Sequence, residues 1–175
     1  MLIYLENMGF KQDFRKVKNE ELITNLETGI LFEDNGEFLQ WNDSFKDIEK
    51  HCKEVEVKDD RVIYHFGEHK ILNGLTCHLS AMRWNDISEN GSFSCVDYFL
   101  GFDAAAIDNV NLISKHLKQE LGEPSKEESW DDDEMLKEWK YDKVQIILNT
   151  WERFAIHGNM KIGLTENINN EAFKV

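Results

Sequence analysis

The sequence predicts an α+β fold: a mostly antiparallel, meandering sheet that carries one long helix (about 104–121) and two short helices packed on it. Three observations lead there. Between residues 28 and 102, β-rich runs alternate with closely spaced turn signals such as Asp34-Asn35-Gly36, Asp59-Asp60 and Asn73-Gly74, which favours neighbouring antiparallel strands. One long amphipathic stripe then follows, with Ile107, Val110, Ile113, Leu117 and Leu121 at three- and four-residue steps. A second group of β-rich runs closes the chain.

The elements follow in order. Up to about Lys18 no pattern dominates; Leu2 and Tyr4, then Phe10, Phe14 and Val17, fit a short strand and a helical turn only in part. Asn19-Glu20-Glu21 ahead of Leu22, Ile23 and Leu26 reads as a short capped helix, with Asn accepting backbone N–H bonds and acids at the positive end of the dipole. Residues 28–33 and 37–41 flank Asn35-Gly36, a pair that tolerates positive φ and suits a tight hairpin. Asn42-Asp43-Ser44 starts a second short helix, with Phe45, Ile48 and Cys52 on one face.

Strands are then expected over 54–58, 61–66, 69–72, 75–84 and 93–102, with Gly67-Glu68 read as a turn. Asp103 is the expected cap of the long helix. Gly122 and Pro124 end it. An acidic loop is expected from Glu123 to Glu134. The strands 136–141 and 144–151 come next, then a turn at His157-Gly158-Asn159 and a last strand, 160–164. Pro124 is the only proline and no low-complexity linker is present. Residues 1–175 therefore read as a single domain, with a polar and loosely held tail from about 165.

Composition narrows the function classes. There are 34 Asp+Glu against 20 Lys+Arg, a net charge of −14. Phosphate binding needs clustered cations, so a nucleic-acid partner is not expected. The 11 Phe, 5 Trp and 4 Tyr supply core groups that disordered chains lack. Glu6 interrupts the first apolar run and no stretch reaches the length of a membrane span. The three cysteines, Cys52, Cys77 and Cys95, are odd in number and widely spaced, which reads as packed thiols in a reducing compartment. The expectation is a cytoplasmic protein with no membrane contact.

Catalytic motifs are sparse. His65 and His69 stand in His-x-x-x-His, but Gly67 and the β-rich flank place them on strands, and no third ligand is evident, so no metal is expected. Cys77 and His78 are strand neighbours and face opposite ways, as do His51 and Cys52 on a short helix. Gly-x-Ser-x-Gly, Gly-x-Gly-x-x-Gly and Gly-Lys-Ser/Thr are absent. No catalytic residue and no cofactor is therefore assigned. An enzyme whose site is assembled from distant residues stays open, with His65, His69, His78 and His157 as its acid–base candidates. An adaptor or structural subunit also stays open, because β-rich runs with bulky residues at both parities leave room for a homodimer.

The strongest local bias is acidic. Glu123, Glu127, Glu128, Asp131, Asp132, Asp133 and Glu134 fall within twelve residues, with Trp130 among them. Calcium would need an Asp-x-Asp-x-Asp-Gly spacing, which is missing. A solvated loop is the plain reading of a like-charge run. The functional reading assigns Glu127, Glu128, Trp130, Asp131, Asp132, Asp133 and Glu134 to partner binding: carboxylates steer a basic protein and the indole anchors it.

Several segments carry a resemblance. Thr28-Gly29-Ile30-Leu31-Phe32-Glu33-Asp34-Asn35-Gly36 followed by Trp41, the helix ending Leu121-Gly122-Glu123-Pro124-Ser125, the acidic loop, and the strand pair from Trp139 to Arg153 together resemble the small acidic immunity proteins of bacterial polymorphic-toxin and contact-inhibition systems. The likeness covers about two-thirds of the chain in style and transfers no individual residue. It implies a cytoplasmic, non-enzymatic protein that binds one basic toxin and blocks it.

Overall fold

The computed structural model describes residues 19–130 and 134–171. The expected N-terminal strand and turn, Asp131 to Asp133, and the last four residues of the tail lie outside that range. Residues 19–26 form helix α1. Then come β1 (Gly29–Phe32), β2 (Glu37–Gln40), α2 (Phe45–Ile48) with a 3-10 turn (Glu49–His51), β3 (Glu54–Val57), β4 (Arg61–Ile71), β5 (Leu75–Trp84) and β6 (Cys95–Phe102). The long helix α3 (Asp103–Leu121) leads to β7 (Lys126–Ser129), β8 (Met135–Lys140), β9 (Val144–Glu152), β10 (Ile156–Leu164) and α4 (Thr165–Glu171). The class is α+β, as the sequence predicts.

All registered strand pairs are antiparallel. The large sheet has the order β3-β4-β5-β6-β10-β9-β8-β7, and β1-β2 form a small sheet of their own. Two meanders thus meet at β6 and β10, with α3 as the crossover between them. β5 and β6 share one pair, Ser80↔Asp97. That thin seam divides the sheet into a three-stranded wing, β3 to β5, and a five-stranded wing, β6 to β10 to β7.

Helix α3 lies on the five-stranded wing because its stripe is apolar there: Ala106, Val110, Ile113 and Leu117 are buried. The approach is close at Gly158, where a Cβ would stand 3.1 Å from Ala106 Cβ and 3.1 Å from Leu100 Cβ. Gly122 ends the helix as expected, donating its N–H to the Lys118 carbonyl, and the Trp139 indole N–H donates to the Gly122 carbonyl at 2.8 Å. Asp103 does not cap the helix. It takes φ +50, and its Oδ1 accepts the Ile156 N–H at 3.2 Å, so it fastens the start of β10 instead.

Four local expectations are corrected. The hairpin between β1 and β2 turns over four residues, and positive φ is confined to Gly36 rather than shared with Asn35; the Asn35 amide instead accepts the Glu37 N–H. Gly67 is no turn but a β-bulge inside the continuous strand β4, where the register shifts between His65 and Gly67. Residues 157–159 belong to β10, and the chain reverses earlier, at 153–155, where Phe154 takes φ +74. Residues 165–171 are helical, not a loose tail, because Ile168 is buried against Leu136 and Ile147.

The bulge at Gly67 matters for side-chain placement. Strand neighbours alternate faces, and one extra residue reverses the alternation. Val62, Tyr64 and Phe66 are buried before it, and His69 and Ile71 after it. Glycine takes φ +92 there without the Cβ cost that another residue would meet.

Candidate docking surface

The described part of the acidic segment contains the edge strand of the five-stranded wing, β7. The sequence reads Glu123 to Glu134 as a loop, but 126–129 is strand β7, paired with β8. It escapes apolar pattern recognition because its alternation is in charge. Lys126 and Glu128 share one face and pair at 3.1 Å. Glu127 faces the other way, toward α3, with Lys118 Nζ and Lys137 Nζ each at 3.2 Å. The hydrogen bond from Lys137, followed by that from Lys118, holds the Glu127 carboxyl below the ordinary carboxylate range. Glu127 is therefore a clamp joining β7, α3 and β8.

Trp130 and Glu134 form the neck of the β7–β8 turn. The Trp130 N–H donates to the Glu134 carbonyl at 3.1 Å, and the indole is 56% exposed. Glu134 Oε1 accepts the Glu152 N–H at 3.0 Å. That bond ties this turn to the β9–β10 turn, just as Asp103 ties the β6–α3 junction to Ile156. Register agrees: β6 and β9 end, and β8 and β10 begin, at the same end of the wing. Asp103 and Glu134 are thus tied to the two flanks of the β9–β10 turn, which carries Glu152 and Arg153.

An aromatic cluster occupies the sheet face at this end, and sequence reading missed it. Phe99 and Phe102 meet edge to face, with ring centroids 4.9 Å apart. Phe102 meets His157 at 4.9 Å, and His157 stacks on Trp151 at 5.2 Å. Phe99 and Phe102 are about half exposed, and Phe154 at the hairpin tip is fully exposed. Strict alternation would send Phe99 and Phe102 to opposite faces. The register shift between β6 and β10 at Gly158/Asn159 leaves Leu100 as the extra residue of β6, and Gly101 takes φ +103. A glycine inside a strand signals a bulge, so the cue was present in Phe99-Leu100-Gly101-Phe102.

Farther along the same face, Asp97 faces Lys161 Nζ at 3.6 Å and Asn159 Nδ2 at 3.5 Å. Burial pushes its carboxyl above the ordinary range, and the lysine and the amide work against that shift.

The histidines named as acid–base candidates do not converge. The Gly67 bulge turns His65 and His69 to opposite faces. His65 faces Glu56 at 3.5 Å, and the exposed His78 faces Glu68 at 3.1 Å. His69 is buried, stacked on Phe32 at 4.0 Å, with Nδ1 3.0 Å from Asp34 Oδ2 and Nε2 3.2 Å from the Phe66 carbonyl. Both of its ring nitrogens are occupied by this chain. His157 belongs to the aromatic cluster. Among the described residues, no three His, Cys, Asp or Glu side chains are placed to hold a metal ion. Burial pushes the Cys77 thiol up to about 12, and burial with Glu49 does the same to Cys52. A thiol held so far up is a poor nucleophile.

A cleft of about 550 Å³ opens between the base of the β1–β2 hairpin and the β8–β9 turn, with Glu27, Asp142, Lys143 and Glu166 on its walls. Among the described residues, no helix is long and apolar enough to cross a membrane. Comparison with protein-family models, with curated proteins and with solved structures returned no match.

Proposed function

We propose that the chain is a non-enzymatic binding protein of the immunity or inhibitor type, cytoplasmic, which neutralises a basic protein partner, a toxin, through an acidic surface. One observation carries the reading. Strand β7 is the edge strand of the sheet, Trp130 after it exposes its indole, and Glu134 is tied to Glu152 at one side of the β9–β10 turn while Asp103 is tied to Ile156 at the other. Carboxylates so gathered focus a negative field toward one approaching surface. Of the residues first assigned to the partner, Glu127 and Glu128 are already engaged by lysines of this chain. Glu134, Trp130 and the aspartates 131–133 between them are left as the recognition set.

The test is capture of the partner by the tagged protein at low and high salt, beside a variant with Asp131, Asp132 and Asp133 changed to lysine. The expected result is one basic protein held near stoichiometry by the parent at low salt, released by salt, and not held by the variant. Equal retention by both forms would refute this surface.

A further inference from the structure

Half-exposed aromatic side chains gathered on one surface mark an interaction site more often than scattered ones do. Phe99 is 49% and Phe102 53% exposed, and Phe154 projects wholly into solvent. The chain adopts φ +103 at Gly101 to bring Phe102 beside Phe99. We propose that Phe99, Phe102, Trp151 and His157 are the anchor of the docking face, and that they take a segment of a basic protein in which arginine or lysine side chains neighbour apolar ones. The inference rests on the acidic-surface reading and adds which residues hold the partner.

Charge complementarity selects this occupant. The anchor lies beside the β9–β10 turn, which carries Glu152 and Arg153 and has Glu134 and Asp103 tied to its two flanks; Lys161 on the same face already has Asp97 at 3.6 Å. A wholly apolar partner would desolvate those carboxylates without pairing them, which costs free energy. A partner with cations alone would leave the aromatic area unburied. Guanidinium or ammonium groups next to apolar side chains satisfy both, since a cation can also lie on an aromatic face. Aromatic anchors inside a polar rim that excludes water are a common energetic centre of such interfaces.

The probe is a synthetic peptide of alternating arginine and leucine, with its glutamate–leucine and arginine–glycine counterparts, titrated into the full-length protein while backbone amide shifts are followed. The arginine–leucine peptide is expected to move the amides of 99–102 and 151–157 together with 130 and 134, and salt is expected to weaken it. The arginine–glycine peptide is expected to move only the acidic turn, and the glutamate–leucine peptide neither. Phe99→Ser with Phe102→Ser should weaken the first peptide about tenfold or more. Should that variant fail to fold, the peptide series on the parent protein decides alone. Movement at 130 and 134 with none at 99–102 would overturn the anchor and leave the acidic surface standing. Equal movement at Asp59, Asp60 and Glu33 would overturn it as non-specific charge. Binding of the glutamate–leucine peptide at the patch would overturn the basic partner, and no movement at all would overturn both readings.

Discussion

Gly101→Ala separates the bulge from the aromatic residues it positions. A Cβ at 101 would find Ala105 Cβ at 3.8 Å and the Ala106 nitrogen at 3.9 Å, both ordinary contacts. Steric crowding therefore contributes little. The cost is the backbone: an L-residue at φ +103 lies in a sparsely populated region, worth about 1–3 kcal/mol. For a chain of this length each kcal/mol moves the midpoint by about 2–4 °C, so the melting temperature should fall by roughly 2–12 °C. The strain has two exits. The bulge persists and the protein is simply less stable, or β6 straightens and Phe102 turns toward α3, where Ala106 and Val110 already fill the space. Thermal unfolding reads the first. The ring-current shifts between Phe99 and Phe102 read the second. A midpoint within about 1 °C of the parent, with the Phe99–Phe102 contact intact, would refute the claim that this glycine is required for its dihedral.

Other expectations follow from single contacts. Trp139→Phe removes the donor to the Gly122 carbonyl while leaving an aromatic ring in the core; urea unfolding should show a loss of about 1–3 kcal/mol, and a loss below about 0.5 would mean that water replaces the indole. The Lys70 N–H, then the His69 contact, hold the Asp34 carboxyl below its ordinary 3.8, and Lys137 and Lys118 hold Glu127 below its ordinary 4.5. A depressed folded value means stability that is present above the unfolded value and is lost as pH falls through the folded one. Acid unfolding should therefore steepen below about pH 4.5, and Asp34→Asn should flatten part of that slope; an unchanged slope would remove Asp34 from the account. Cys52 and Cys77, raised to about 12, should resist a thiol reagent at pH 8 in the native state and react once unfolded. Two fast native equivalents from these positions would refute the shielding of the buried Cys77 and the half-buried Cys52.

The sequence was most legible where a pattern ran long. Strand β5 spans Leu75–Trp84, as its alternation predicts, and α3 follows its apolar stripe to Gly122. Legibility failed where one residue changed the phase. Gly67 reads as a turn in the sequence, and only the pairing of β4 with β5 over its whole length shows it to be a bulge. The same holds for Gly101 and for Gly158 beside it, so the face shared by Phe99 and Phe102 was invisible to alternation. Strand β7 was missed because Lys126, Glu127 and Glu128 alternate by charge, and helix α4 because, among its described side chains, Ile168 is the one that is buried. Of the assigned binding residues, the acids were plain from composition. That Glu127 is consumed by two lysines required α3 and β8 to be placed around it.

The two parts of the docking face have different physical roles, and kinetics can tell them apart. Carboxylates at Glu134 and Glu152 act over about a Debye length, before contact, so they set the rate of encounter. The rings of Phe99, Phe102 and Trp151 act only once water is excluded, so they set how long the partner stays. Neutralising Glu134 and Glu152 should lower the association rate and its salt dependence, with dissociation nearly unchanged. Replacing Phe102 with serine should speed dissociation and leave association near its parent value. If instead the aromatic variant slowed association and the charge variant sped dissociation, the rings would be shaping the field or the fold rather than anchoring a partner, and the division of labour drawn from this end of the sheet would be wrong.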